Sequence, residues 1–142
     1  SEIRAGRGFI RGRYQVSAAG VFAHIQILNP AGSAITVIIR DLVVALGNAD
    51  TVEIRTHNTA LTTLVGAGAN LLAGGAAGVG VVRAENNAVP QGTLVGEFNV
   101  PANTPTRLVP DWWFELGAGE GVLFVPVTAN VNMGGVFHWR EV

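Results

Sequence analysis

The chain has 142 residues, a formal net charge of −1 and no cysteine. That length and composition predict one domain without disulfides, and they exclude thiolate metal sites and cysteine nucleophiles. Only 13% of the residues are charged while 49% are apolar, which argues against nucleic-acid binding by the whole domain and predicts exposed apolar surface that meets a partner.

All nine cationic side chains are arginine. Four of them, Arg4, Arg7, Arg11 and Arg13, fall in residues 1–13, where they alternate with glycine and little else. Ordering glycine costs backbone entropy, so residues 1–13 are expected to be a flexible arm, with residues 14–142 forming the folded domain. The four arginines of the arm are the candidate partner-binding residues, since a guanidinium pairs with carboxylates or phosphates in a bidentate manner. The plainer reading of such a terminus is a solvated tail.

From Tyr14 onward the period is two. Val21, Ala23, Ile25 and Ile27 alternate with Phe22, His24, Gln26 and Leu28, and with both faces partly apolar this is expected to be a central strand. Asn29-Pro30-Ala31-Gly32-Ser33 reads as a turn. Residues 35–39 and 42–46 are β-branched runs, residues 51–57 alternate cleanly, and Gly47-Asn48-Ala49-Asp50 turns the chain between them.

Residues 58–82 carry no charge. They are rich in glycine and alanine, too poor a composition for a spanning helix, and are expected to form a packed loop or interface segment. Strand signals return at 79–85, 93–100, 107–109, 112–116, 122–128 and 136–142. About eight or nine short strands at this spacing predict an all-β fold, an antiparallel β-sandwich of jelly-roll-like form.

Catalytic chemistry finds little support. Ser1, Ser17 and Ser33 lack a nucleophile-elbow context. His24, His57 and His138 are widely separated, without the short spacing of a metal site, and isolated strand histidines are more often surface or interface residues. Glu97 with Asp111 or Glu115 would be needed for a carboxylate pair, and nothing selects them. The glycine-rich stretch 66–80 lacks the Gly-Lys-Ser/Thr ending of a phosphate loop. No enzyme, cofactor or metal is expected.

Adjacent Trp112 and Trp113 point to opposite faces if they lie on a strand. One is then a core residue and the other a contact for a neighbouring subunit or a sugar ring. The subunit contact is favoured, because aromatic residues are enriched at interfaces.

The Asn29–Ser33 turn after an apolar strand, the Thr56-His57-Asn58-Thr59-Ala60-Leu61-Thr62-Thr63-Leu64 stretch, the Leu116-Gly117-Ala118-Gly119-Glu120-Gly121 turn and the closing Phe137-His138-Trp139-Arg140-Glu141 strand together resemble small β-sandwich virion proteins of tailed bacteriophages, of the decoration, head-fibre or tail-fibre kind. The resemblance covers most of residues 14–142. It implies a jelly-roll-like trimer bound to the major capsid or tail protein of a virion, made in the host cytoplasm without a signal peptide. It supplies no catalytic residue. A carbohydrate-binding sandwich that contacts a host glycan is the alternative, and membrane insertion is not expected.

Overall fold

The computed structural model describes Ser1, residues 3–108 and residues 114–142. Among them are twelve strands and no helix: β1 (Gly8–Gln15), β2 (Phe22–Leu28), β3 (Val37–Leu46), β4 (Asp50–Thr56), β5 (Thr63–Ala67), β6 (Ala69–Asn70), β7 (Val81–Asn87), β8 (Thr93–Val100), β9 (Thr106–Leu108), β10 (Glu115–Leu116), β11 (Gly121–Pro126) and β12 (Met133–Glu141). Sheet A runs β10-β3-β12-β1-β6, with β9 also paired to β3. Sheet B runs β5-β7-β2-β11-β4-β8. Every strand pair is antiparallel. The expected β-sandwich is therefore present, and the chain crosses repeatedly between its two layers.

Alternation decides what lies between the layers. Val37, Ile39, Leu42, Val44 and Leu46 of β3 and Met133, Phe137 and Trp139 of β12 meet Ala23, Ile25 and Ile27 of β2 and Val122 and Phe124 of β11 in one buried core. The Phe124 and Phe137 rings stack across the layers, with centroids 5.4 Å apart, a geometry that contributes about 0.5–1.5 kcal/mol beyond burial. The two β-branched runs 35–39 and 42–46 join into the single strand β3, which stays continuous through a bulge: His138 pairs with Asp41 and Trp139 with Ile39, leaving Arg40 as the extra residue.

The boundary expected after residue 13 falls inside a strand. Gly8–Gln15 is β1, paired along its whole length with β12 and at Phe9 and Ile10 with β6. Phe9 is a core residue. The strand tolerates arginine on its inward side because the side chains reach carbonyl and amide oxygens at the sandwich edge. Arg11 Nε donates to the Ala67 carbonyl at 2.7 Å and Arg13 Nε to Gln15 Oε1 at 3.0 Å. An apolar stem with a polar tip suits that position.

The uncharged stretch 58–82 is also more structured than a loop. It contains β5, β6 and the start of β7. Residues 71–80 then lie against the edge of sheet A and are pinned by Glu141. The buried Glu141 carboxylate accepts the Val79 N–H at 2.9 Å, the Gly80 N–H at 3.0 Å and Trp139 Nε1–H at 3.0 Å. Gly68 explains part of the glycine content: a Cβ there would run into the Trp139 ring and Phe9.

Candidate interaction surfaces

The outward faces of the two sheets differ. Sheet B covers its own. Leu61, Leu123 and Val125 form a second small core on that side, with Phe22 packed against it. Residues 57–62 are tied down by Gln26 of β2, a fully buried amide. Its Nε2 donates to the carbonyls of His57 and Thr59, and its Oε1 accepts the Leu61 N–H, each at 3.0 Å.

Residues 88–92 are held by His24, two positions earlier on β2. His24 Nε2 accepts the Gln91 N–H at 3.1 Å while Nδ1 faces the Phe22 carbonyl at 2.9 Å, so the neutral ring carries its proton on Nδ1. Burial holds the His24 pKa below the usual histidine value. The Phe22 carbonyl and the Glu85 carboxylate act in the opposite direction, and His57 and Arg55 add to the lowering. Burial alone would raise the Glu85 pKa, but hydrogen bonds from Asn87 and Thr62, with His24 nearby, outweigh it and leave the carboxyl below its usual range.

Among the described residues nothing covers the outer face of sheet A, and the strand register sets three rows of side chains across it. The first is Tyr14, Gly134 and Ala45; the second Gly12, Val136, Val43 and Arg107; the third Ile10, His138 and Asp41. The Tyr14 side chain lies over Gly134, where a Cβ would sit 3.4 Å from the ring, and Tyr14 is 60% exposed. An open groove of about 440 Å³ runs along the first two rows.

At the third row Asp41 Oδ2 accepts from Arg107 Nη2 at 2.7 Å, and Asp41 Oδ1 stands 2.7 Å from His138 Nδ1. The latter is a close approach and not an aligned hydrogen bond, since neither atom makes one. The bulge in β3 sets Asp41 opposite His138, the re-aiming role such irregularities commonly play.

The edges differ as well. Sheet A ends in β6 and β10, two residues each, with the three-residue β9 beside them. Sheet B ends in β5 and β8, five and eight residues long, each with one register break in its pairing, at Val65 in β5 and at Val95 in β8. Leu94 and Val95 on β8 are 47% and 53% exposed.

Arg4 and Arg7 of the expected arm are exposed, whereas Arg11 and Arg13 are half-buried in β1. The three histidines do not converge: His24 lies on the outer face of sheet B near His57, and His138 on the outer face of sheet A. Glu97 and Glu115 lie on different sheets, and Asp111, Trp112 and Trp113 lie outside the described residues. Among the described residues no three His, Asp or Glu side chains are grouped to hold a metal ion. Tyr14 and the Asp41–His138 pair went unnoticed in the sequence, because only the register of β1, β12 and β3 brings them onto one face. Compared with protein-family models, curated proteins and solved structures, the chain shows no match.

Proposed function

We propose that this protein is a non-enzymatic structural subunit that associates with copies of itself through the β8 edge of sheet B. The observation that carries the reading is the length of the β8 edge and the exposed apolar side chains it presents. The edge strands β6, β9 and β10 of sheet A are two or three residues long, and short edge strands are a device by which sheets avoid pairing with other chains. β8 is eight residues long with one register break at Val95, is apolar at the exposed Leu94 and Val95, and makes no backbone hydrogen bond on its outer side among the described residues. Such an edge is a template for another strand. Pairing β8 with β8 gives a twofold dimer. Pairing β8 with β5 of the next copy gives a ring, the arrangement a trimer needs.

The likeness to tailed-phage virion proteins suits this reading: a subunit on a capsid or tail surface works by association, and the exposed Arg4 and Arg7 are then available to a capsid or tail protein. The test is the native mass of the wild type and of the Leu94→Lys, Val95→Lys double variant. Both side chains are exposed, so the fold tolerates the change, and a lysine pair on an edge opposes pairing. A wild-type oligomer that becomes monomeric in the variant supports the proposal. A monomeric wild type, or an oligomer indifferent to the variant, overturns it.

A further inference from the structure

The geometry points to a saccharide-binding site on the open outer face of sheet A, on a different surface from the β8 edge and independent of it. Three features converge there.

The first is a stacking platform. Tyr14 Cδ2 lies against Gly134 of the neighbouring strand, where no Cβ intervenes, and Tyr14 is 60% exposed. An aromatic ring held this way offers its electron-rich face to the C–H side of a pyranose, at little entropic cost because the ring is already positioned.

The second is shape. The groove of about 440 Å³ is floored by Gly12, Gly134, Val136, Val43 and Ala45, all small side chains, so a flat ligand can lie close to the backbone. Tyr14 and Ile10 are four residues apart on β1 and mark the first and third rows. At about 3.3 Å per residue the rows span about 13 Å, which accommodates a short oligosaccharide lying across the strands' length.

The third is the polar end. Asp41 Oδ2 accepts from Arg107 Nη2 at 2.7 Å, and Asp41 Oδ1 lies 2.7 Å from His138 Nδ1. The Arg107 side chain is 66% exposed, and its other guanidinium N–H groups have no partner among the described residues. His138 Nε2 is likewise without a partner there. Asp41 Oδ1 is buried, so Oδ2 is the acceptor, and an acceptor beside guanidinium donors matches the paired donor and acceptor character of vicinal sugar hydroxyls. An apolar ring at one end and oriented polar groups at the other is the composition of a small-ligand site. At the polar end one carboxylate faces one guanidinium, and Arg13, which also lines the groove, turns its Nε to Gln15, so the ligand class is a neutral oligosaccharide and not a phosphate or a polyanion.

The test is an array of neutral oligosaccharides of two to four residues, followed by titration of each binding sugar at millimolar concentration with amide chemical shifts as the readout. The expected result is binding that perturbs Gly134, Val136 and Val43. Tyr14→Ala weakens it about tenfold, the upper range for loss of an aromatic contact, and Asp41→Asn and Arg107→Ala each weaken it severalfold. Tyr14 is exposed, so its variant keeps the wild-type thermal unfolding, and weaker binding then reports on contact and not on folding. No binding sugar on the array overturns the inference, as does binding that Tyr14→Ala leaves unchanged or that perturbs another face.

Discussion

Glu141 is where a single substitution should reveal how the sandwich edge is closed. Its carboxylate receives the Val79 N–H, the Gly80 N–H and the Trp139 indole N–H. Trp139 is 1% exposed and the Gly80 contact is buried. In Glu141→Ala these two donors lose their acceptor in a place water does not reach. A hydrogen bond to a charged group contributes about 1.5–3 kcal/mol, so the two buried donors together amount to about 3–6 kcal/mol. The Val79 N–H adds little, because Val79 is 42% exposed and its amide regains water. That sum is a large part of the ~5–15 kcal/mol that a domain has in total.

Glu141→Gln keeps one acceptor oxygen and the same shape, so its loss should be about half as large. The assay is urea unfolding of all three proteins, read with amide hydrogen exchange at Val79 and Gly80. In the alanine variant those amides should exchange at least tenfold faster, a factor that corresponds to about 1.4 kcal/mol of local opening. A loss below about 1 kcal/mol in Glu141→Ala, or unchanged protection at Gly80, would refute the view that this carboxylate holds residues 71–80 in place.

Two further predictions follow from other buried groups. His24 titrates near its ordinary value of about 6.5 when unfolded and at a lower value when folded. Between the two the unfolded chain binds more protons, so stability falls as pH drops through about 6.5 and levels off below the folded pKa, with a slope of at most ~1.4 kcal/mol per pH unit. Urea unfolding at about pH 7.5 and about pH 5.5 should show this decline, and His24→Gln should reduce it; an undiminished slope in the variant would assign the effect to other groups. Gly68→Ala forces a methyl group into the Trp139 ring and Phe9, and overpacking of this kind costs about 1–3 kcal/mol; a thermal midpoint equal to the wild type would contradict the close approach.

Strands with an apolar period of two were legible in the sequence. Val21 to Leu28 became β2, 51–57 became β4 and 93–100 became β8, because alternation reports directly on which side chains face the core. β1 escaped because its pattern is carried by Arg11, Arg13 and Gln15, which face the sandwich edge, where their tips find Ala67, Asn86 and one another. A period built from long polar side chains looks like a solvated tail until the partners are known. β6 escaped for a different reason. Two residues after Gly68 have no period, and only Phe9 and Ile10 across the ladder define them as a strand. The candidate site followed the same rule. The exposed ring of Tyr14 and the separate residues Asp41 and His138 carried no local signal, since their meeting depends on register across three strands.

The placement of β12 has a consequence for how the molecule comes into being. It lies between β3 and β1 at the centre of sheet A and brings Met133, Phe137 and Trp139 to the core. In chain order it is the last strand. Until it is synthesised, β3 and β1 have no common neighbour, and Phe124 lacks its aromatic partner from the other layer. Sheet A therefore closes only once β12 has been made, and closing it means pairing strands far apart in the sequence, an arrangement that folds slowly because distant segments must first be brought together. Until then β1 and β3 wait on the growing chain with unpaired edges, the state in which a nascent sandwich is most exposed to pairing with the wrong partner.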